Sequence, residues 1–312
     1  MFSLQSISRI CLSVASLIAV ATMATSECLA QAKHTPSPKF RNVSYGQHER
    51  NVLDFWQAQA DQPTPLAVYI HGGGFRNGSK DSINPEMLQA LLDAKISVAA
   101  LNYRFIDHAP LPAAHYDCRR ALQFLRSKSE AWHLDKTRVG AFGGSAGAQL
   151  CLYLAFHDDM AKPDSDDPVE RESTKLTCIA TNGGQTTMDV DWWKKHIPDY
   201  TAPHLDFLEV FGAKTQAEYL QMVSDVSALS LITKDDPPIF MSYIMQPNEF
   251  VPPEPEQARR WKVHHVVFGI ELKKRMDALG IEADLEYPGA TTIHRSPTEF
   301  IIATLKKPTT RD

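Results

Sequence analysis

Ser145 lies within Gly143-Gly144-Ser145-Ala146-Gly147, between a short apolar run at 139–142 and a continuous apolar, helix-like run at 146–156. Strand, sharp turn and helix in that order put a serine hydroxyl at the apex of a tight turn, open to a substrate carbonyl. The flanking glycines let helix and strand approach closely. Well upstream, His71-Gly72-Gly73-Gly74-Phe75 follows a second apolar run at 66–70. Backbone N–H groups on such a loop can face a developing oxyanion. A nucleophilic hydroxyl and a separate set of oxyanion donors are parts of acyl-transfer chemistry. A glycine-rich connection that only turned the chain would need neither this serine nor a second glycine loop.

Around these motifs, apolar runs alternate with helix-like segments. Strands are expected at 51–57, 66–70, 96–101, 139–142, 176–181, 239–244 and 281–287. The stretch 96–101 is continuously apolar, as in strands buried within a parallel sheet. Asn84-Pro85-Glu86 opens a helix leading into 87–94, with Pro85 in its first turn. Ala114, Cys118, Ala121, Leu122 and Leu125 give the segment 112–132 one apolar face. Further helices are expected at 263–279, closed by Gly280, and at 297–306, with a proline-rich loop at 247–255. The pattern is that of an α/β fold whose mostly parallel central sheet carries helices on both faces. Residues 187–219 break the alternation with Trp192, Trp193 and the bulky run 205–211. This small helical insertion is read either as an apolar wall at the rim of the site or as a packed connecting helix pair.

The chain has 312 residues and a formal net charge of −5, with no basic footprint for nucleic acid. Residues 1–32 read as a secretory signal: Arg9, an apolar run at 10–24, and a small-x-small site at Ala30-Gln31-Ala32. The apolar run is too short and too interrupted by Ser and Thr for a stable membrane span, so one domain is expected over 33–312. Secretion or a periplasmic location follows. Of five cysteines, Cys118, Cys151 and Cys178 remain after the signal, and Cys118 and Cys151 read as core residues rather than a disulfide framework. No Cys/His spacing suggests zinc. The cluster 164–167 reads as a solvated acidic loop, and Asp117 as a partner for a nearby arginine or backbone group.

With both motifs placed, the chain resembles the α/β-hydrolase superfamily, and within it the esterase/lipase branch with an HGGG-type oxyanion loop. Asn102-Tyr103-Arg104, Leu111-Pro112-Ala113-Ala114 and Tyr287-Pro288-Gly289-Ala290 extend the resemblance over nearly the whole chain. It implies that Ser145 is the nucleophile and that the N–H groups of Gly73, Gly74 and Ala146 hold the oxyanion. It also implies a base and an acid in the order Ser, Asp or Glu, His. His264, His265 and His294 come late enough. His294, in the loop after the last strand, takes the base position, although Thr291-Thr292-Ile293 sets it about two residues beyond the usual pattern. His264 and His265 open a helix, where at least one is expected to be buried or capping. The usual acid slot, separated by two residues from Val251-Pro252, holds Asn248. An amide there stabilises an imidazolium poorly, and the change costs about 10⁴ in rate in other systems. Glu249 is its neighbour and is taken as the acid, with Glu254 or Glu256 and an impaired triad as the open alternatives.

These residues imply a serine hydrolase that cleaves carboxylic esters through an acyl-enzyme, without metal or organic cofactor. Small-molecule or polysaccharide-linked esters are the expected substrates, and the sequence carries no signal for oligomeric state. A peptidase of the same superfamily is one alternative, though it would usually carry a sizeable accessory domain. A catalytically impaired α/β-hydrolase acting as a binding protein is the other, favoured by Asn248 and the displaced His294.

Overall fold

The computed structural model describes residues 36–307, so the signal segment 1–32 lies outside the described residues. Eight strands form one sheet: β1 (Phe40–Ser44), β2 (Val52–Trp56), β3 (Thr64–Ile70), β4 (Ser97–Leu101), β5 (Leu134–Gly144), β6 (Cys178–Asn182), β7 (Ile239–Ser242) and β8 (Ala283–Glu286). Their spatial order is β1-β2-β4-β3-β5-β6-β7-β8. β2 pairs antiparallel with both β1 and β4, and every pairing from β4 through β8 is parallel. The carboxyl ends of β3 to β8 therefore open on one edge, where loops from different parts of the chain can meet.

Side-chain alternation along the strands divides the core between two faces. Leu66, Val68 and Ile70 of β3 join Val139 and Ala141 of β5 on one face. That face is covered by α2 (Ala113–Ser127), α3 (Ala146–Phe156) and α9 (Val267–Leu279). Ala67, Phe142, Cys178 and Phe240 point the other way, against α1 (Pro85–Asp93) and α10 (Pro297–Lys306). α3 is buried along its whole length, as its unbroken apolar sequence requires. The strands expected from the sequence all form, within a few residues at their ends, and β1 adds an edge strand that its polar sequence did not announce.

The insertion contains α4 (Val190–His196), α5 (Phe207–Phe211) and the start of α6 (Gln216–Val226), which leads into α7 (Ala228–Leu231). The segment read as a loop at 247–255 gives way at its end to α8 (Pro255–Val263). Pro255 occupies the first helical turn, Glu256 complements the N-terminal end of the dipole, and Arg260 and Lys262 complement the C-terminal end. These signals were present in the sequence beneath the proline-rich composition. No described helix is long and apolar enough to cross a membrane. Cys118, Cys151 and Cys178 are buried free thiols, as expected of Cys118 and Cys151.

Candidate active site

β5 delivers Ser145 to the open edge of the sheet, and the backbone there is strained. Ser145 has φ 53° and ψ −120°, a conformation that costs a non-glycine residue about 1–3 kcal/mol unless its surroundings enforce it. Two contacts enforce it. The Ser145 N–H donates to the Asn182 carbonyl at 2.8 Å, tying the turn to the end of β6. On the other side α3 is drawn against β3, and a Cβ on Gly147 would lie 2.1 Å from the Ile70 carbonyl oxygen. Only glycine fits at that crossing.

The glycine loop lies beside this turn. A Cβ on Gly72 would meet the Gly144 carbonyl at 2.7 Å, so the loop and the turn pack backbone against backbone. The loop is braced from below: Tyr103 Oη donates to the His71 carbonyl at 2.8 Å, and its ring stacks on His71 at 4.3 Å. Arg50 donates to the carbonyls of Tyr103 and Gly78. Burial pushes the His71 pKa down to about 4, so this imidazole is a neutral brace at neutral pH. The first N–H of α3, on Ala146, has no carbonyl within its own helix to reach. Gly73 and Gly74 lie at φ 114° and 60°, and their N–H groups donate to no group among the described residues. These three N–H groups are the donors expected from the sequence.

The histidine beside Ser145 is not the one expected as base. His264 Nε2 lies 2.9 Å from Ser145 Oγ. Its Nδ1 lies 2.9 Å from the Arg260 carbonyl oxygen. A carbonyl can only accept, so Nδ1 carries the proton and the lone pair of Nε2 faces the serine hydroxyl. His264 is the residue that ends α8, and α8's carbonyl at Arg260 holds its ring. Burial lowers its pKa below the usual value of 6.5, with a smaller contribution from the Arg260 and Arg259 charges. His265, next to it, accepts the Val267 N–H at 3.2 Å at the start of α9 and is buried, as one of the pair was expected to be.

His294, the expected base, is held elsewhere. Its Nδ1 lies 2.7 Å from Asp284 Oδ2, and its ring edge meets Phe300 at 5.2 Å. Asp284 also accepts the N–H groups of Ile293 and His294. Strand alternation decides this placement. Asp284 is aligned with Phe240, which packs on the α10 face, whereas Met241 and Leu285 pack on the opposite one. Asp284 thus faces α10 and draws the loop after β8 down with it.

Nor does the expected acid reach a histidine. Glu249 lines the cleft, but its carboxylate accepts the Gln246 N–H at 3.1 Å within its own turn. Asn248 is exposed, Glu254 precedes α8, and Glu256 pairs with Arg259 and Arg260. The place at Nδ1 that a carboxylate would take is filled by a main-chain carbonyl.

Ser145 and His264 open into a cleft of about 670 Å³, walled by Tyr69, Tyr243, Met245, Pro252 and Trp261. Trp192 and Trp193 are not among its walls. Trp193 is buried against Phe268, Tyr200 and Phe207, and its Nε1 donates to the Thr187 carbonyl. The insertion is a packed element at this point and not a lining of the cleft. A larger polar cleft, about 860 Å³, lies between the β1–β2 turn and α2. It contains the Arg104–Asp117 and Arg120–Asp167 pairs and none of the candidate residues. Asp117 is thus an arginine partner, as read from the sequence. Among the described residues no cluster of three His, Cys, Asp or Glu side chains could hold a metal ion.

Comparisons with known proteins find carboxylesterases among the similar sequences. A carboxylesterase of Mycobacterium tuberculosis, NlhH, is 28% identical over 116 residues, covering 37% of this chain and 36% of that protein. Tuliposide A-converting enzyme 2 of Tulipa gesneriana is 34% identical over 119 residues, covering 35% and 30%. The matched stretch spans about a third of the length of these relatives. Among solved structures, a truncated carbohydrate esterase from gut microbiota has a TM-score of 0.67 at 20% identity, covering 88% of this chain and 98% of that one. An acetyl ester-xyloside bifunctional hydrolase from Caldicellulosiruptor lactoaceticus has a TM-score of 0.62 at 18% identity, covering 81% and 87%. At those identities the likeness is one of fold, and the fold is that of the α/β-hydrolases. The BD-FAE family profile matches residues 53–256, well over half of the chain, and the chain belongs to that family.

Proposed function

We propose that this protein is a serine hydrolase of carboxylic esters, with Ser145 as nucleophile and His264 as base. The observation that carries the reading is the 2.9 Å contact between Ser145 Oγ and His264 Nε2 at the floor of an open cleft. Ser145 Oγ attacks the ester carbonyl carbon while its proton passes to Nε2. The carbonyl oxygen, now negative, is received by the N–H groups of Gly73, Gly74 and Ala146. Collapse of this intermediate expels the alcohol, which takes the proton from Nε2 and leaves an acyl-serine. Water then repeats the sequence in the second half-reaction and releases the acid.

The role of the triad acid is divided in this site. The Arg260 carbonyl fixes the tautomer and ring orientation, but it supplies no full negative charge to the imidazolium. A serine–histidine pair of this kind retains catalysis from the oxyanion donors and from positioning. The carbohydrate esterase and the acetyl ester-xyloside hydrolase among the structural neighbours support carbohydrate-linked esters as substrates, and the signal-like segment 1–32 supports an exported enzyme acting on them. Hydrolysis of p-nitrophenyl acetate beside Ser145→Ala tests the reading. Turnover that disappears in the variant supports it, and equal background rates in both proteins overturn it in favour of a binding protein.

A further inference from the structure

We infer that Gln185 is a positioning residue that fixes the distance between His264 and Ser145. Its side chain is buried, and Nε2 donates to two carbonyls, Gly183 at 3.2 Å and Val263 at 2.7 Å. Both partners can only accept, so the orientation of the amide is determined. Val263 directly precedes His264, and Gly183 directly follows Asn182, whose carbonyl holds the Ser145 N–H. A closed ring results: Ser145 to Asn182 through the backbone, Gly183 to Gln185 to Val263 through the amide, and His264 back to Ser145 Oγ.

Two further contacts show how tightly this ring is fitted. Gly183 has φ 56°, and a Cβ there would lie 3.2 Å from the His264 ring. The imidazole therefore rests on the Gly183 backbone. Thr186 Oγ1 donates to the Phe268 carbonyl at 2.9 Å, so the segment after β6 also holds the first turn of α9. Gln185 is the side chain that joins the nucleophile's strand edge to the base's turn. This role rests on the assignment of His264 as base.

Gln185→Met keeps the length of the side chain and removes the donor. With an ester substrate and active-site titration, kcat per titrated site is expected to fall about 10–100-fold with KM within about twofold, since a 1 Å misplacement can cost on that order. The acidic limb of kcat is expected to move to higher pH as His264 regains solvent. Gln185→Glu places a buried carboxyl against two carbonyl oxygens, where it protonates and donates one hydrogen bond. This variant is expected to recover part of the lost turnover, most at the low end of the active pH range. It is also the variant to read if the Met protein does not fold. A lower Tm and a smaller titratable fraction, with kcat per site and the acidic limb unchanged, would overturn the proposal. His264→Ala, assayed alongside, separates the two claims. Wild-type turnover in that variant overturns the base assignment and this proposal with it. Its loss beside wild-type kcat in Gln185→Met overturns the positioning role alone.

Discussion

The turn that carries His264 and the loop that carries His294 both hold an imidazole through Nδ1, with opposite results. His294 has the better partner by charge, a buried carboxylate at 2.7 Å that also accepts two backbone N–H groups. His264 has only a carbonyl of its own helix. Yet it is His264 whose Nε2 meets Ser145. A histidine–aspartate pair is thus not evidence of a base by itself. The face of the sheet on which the carboxylate stands decides what the histidine can reach, and Asp284 stands on the α10 face.

The comparison is broken or sharpened most strongly by removing each ring in turn. His264→Ala is expected to lower kcat for a short-chain ester by about 10³-fold or more, on the scale of lost base catalysis. His294→Ala is expected to leave kcat within about threefold. The reverse pattern would return the base to the loop after β8. Chemical denaturation should rank the two variants differently. Loss of His294 leaves the buried Asp284 short of a partner, and a destabilisation of about 1–3 kcal/mol is expected.

A smaller effect concerns pH. His264 must be neutral to accept the serine proton, and its folded pKa lies below 6.5. Activity should therefore rise with pH through an acidic limb centred below 6.5. A limb centred above 6.5 would mean that a carboxylate stabilises the imidazolium, and would count against the carbonyl partner. The smallest effect is expected at Glu249, whose carboxylate bonds only its own turn. Glu249→Gln should change kcat by less than about twofold, whereas a triad acid replaced by its amide costs about 10⁴.

Most of the fold was legible because its signals are local. Continuous apolar runs marked β4 and α3, and the Asn84-Pro85 pair marked the start of α1, where Asn84 Oδ1 does accept the N–H groups of Glu86 and Met87. β1 was not legible, since an edge strand with polar residues has little apolar alternation to show. α8 was hidden by the prolines around it, and with it the residue that ends it. Reading 247–255 as a loop and 263–279 as one helix left His264 inside a helix start, with no reason to reach the cleft.

The sequence by itself determined the turn that carries Ser145. Only a glycine tolerates the approach of α3 to β3, and a short strand–turn–helix segment sets Ser145 at the apex of the turn. Those requirements are met by residues adjacent in the chain. The partner of that serine was decided by tertiary structure, because Ser145 and His264 are 119 residues apart in sequence. Their contact depends on where α8 ends and how Gln185 ties that end to β6, and the placement of His294 depends on which face of β8 takes Asp284. No local pattern around a histidine encodes these three placements, since each is set by packing between elements distant in the chain.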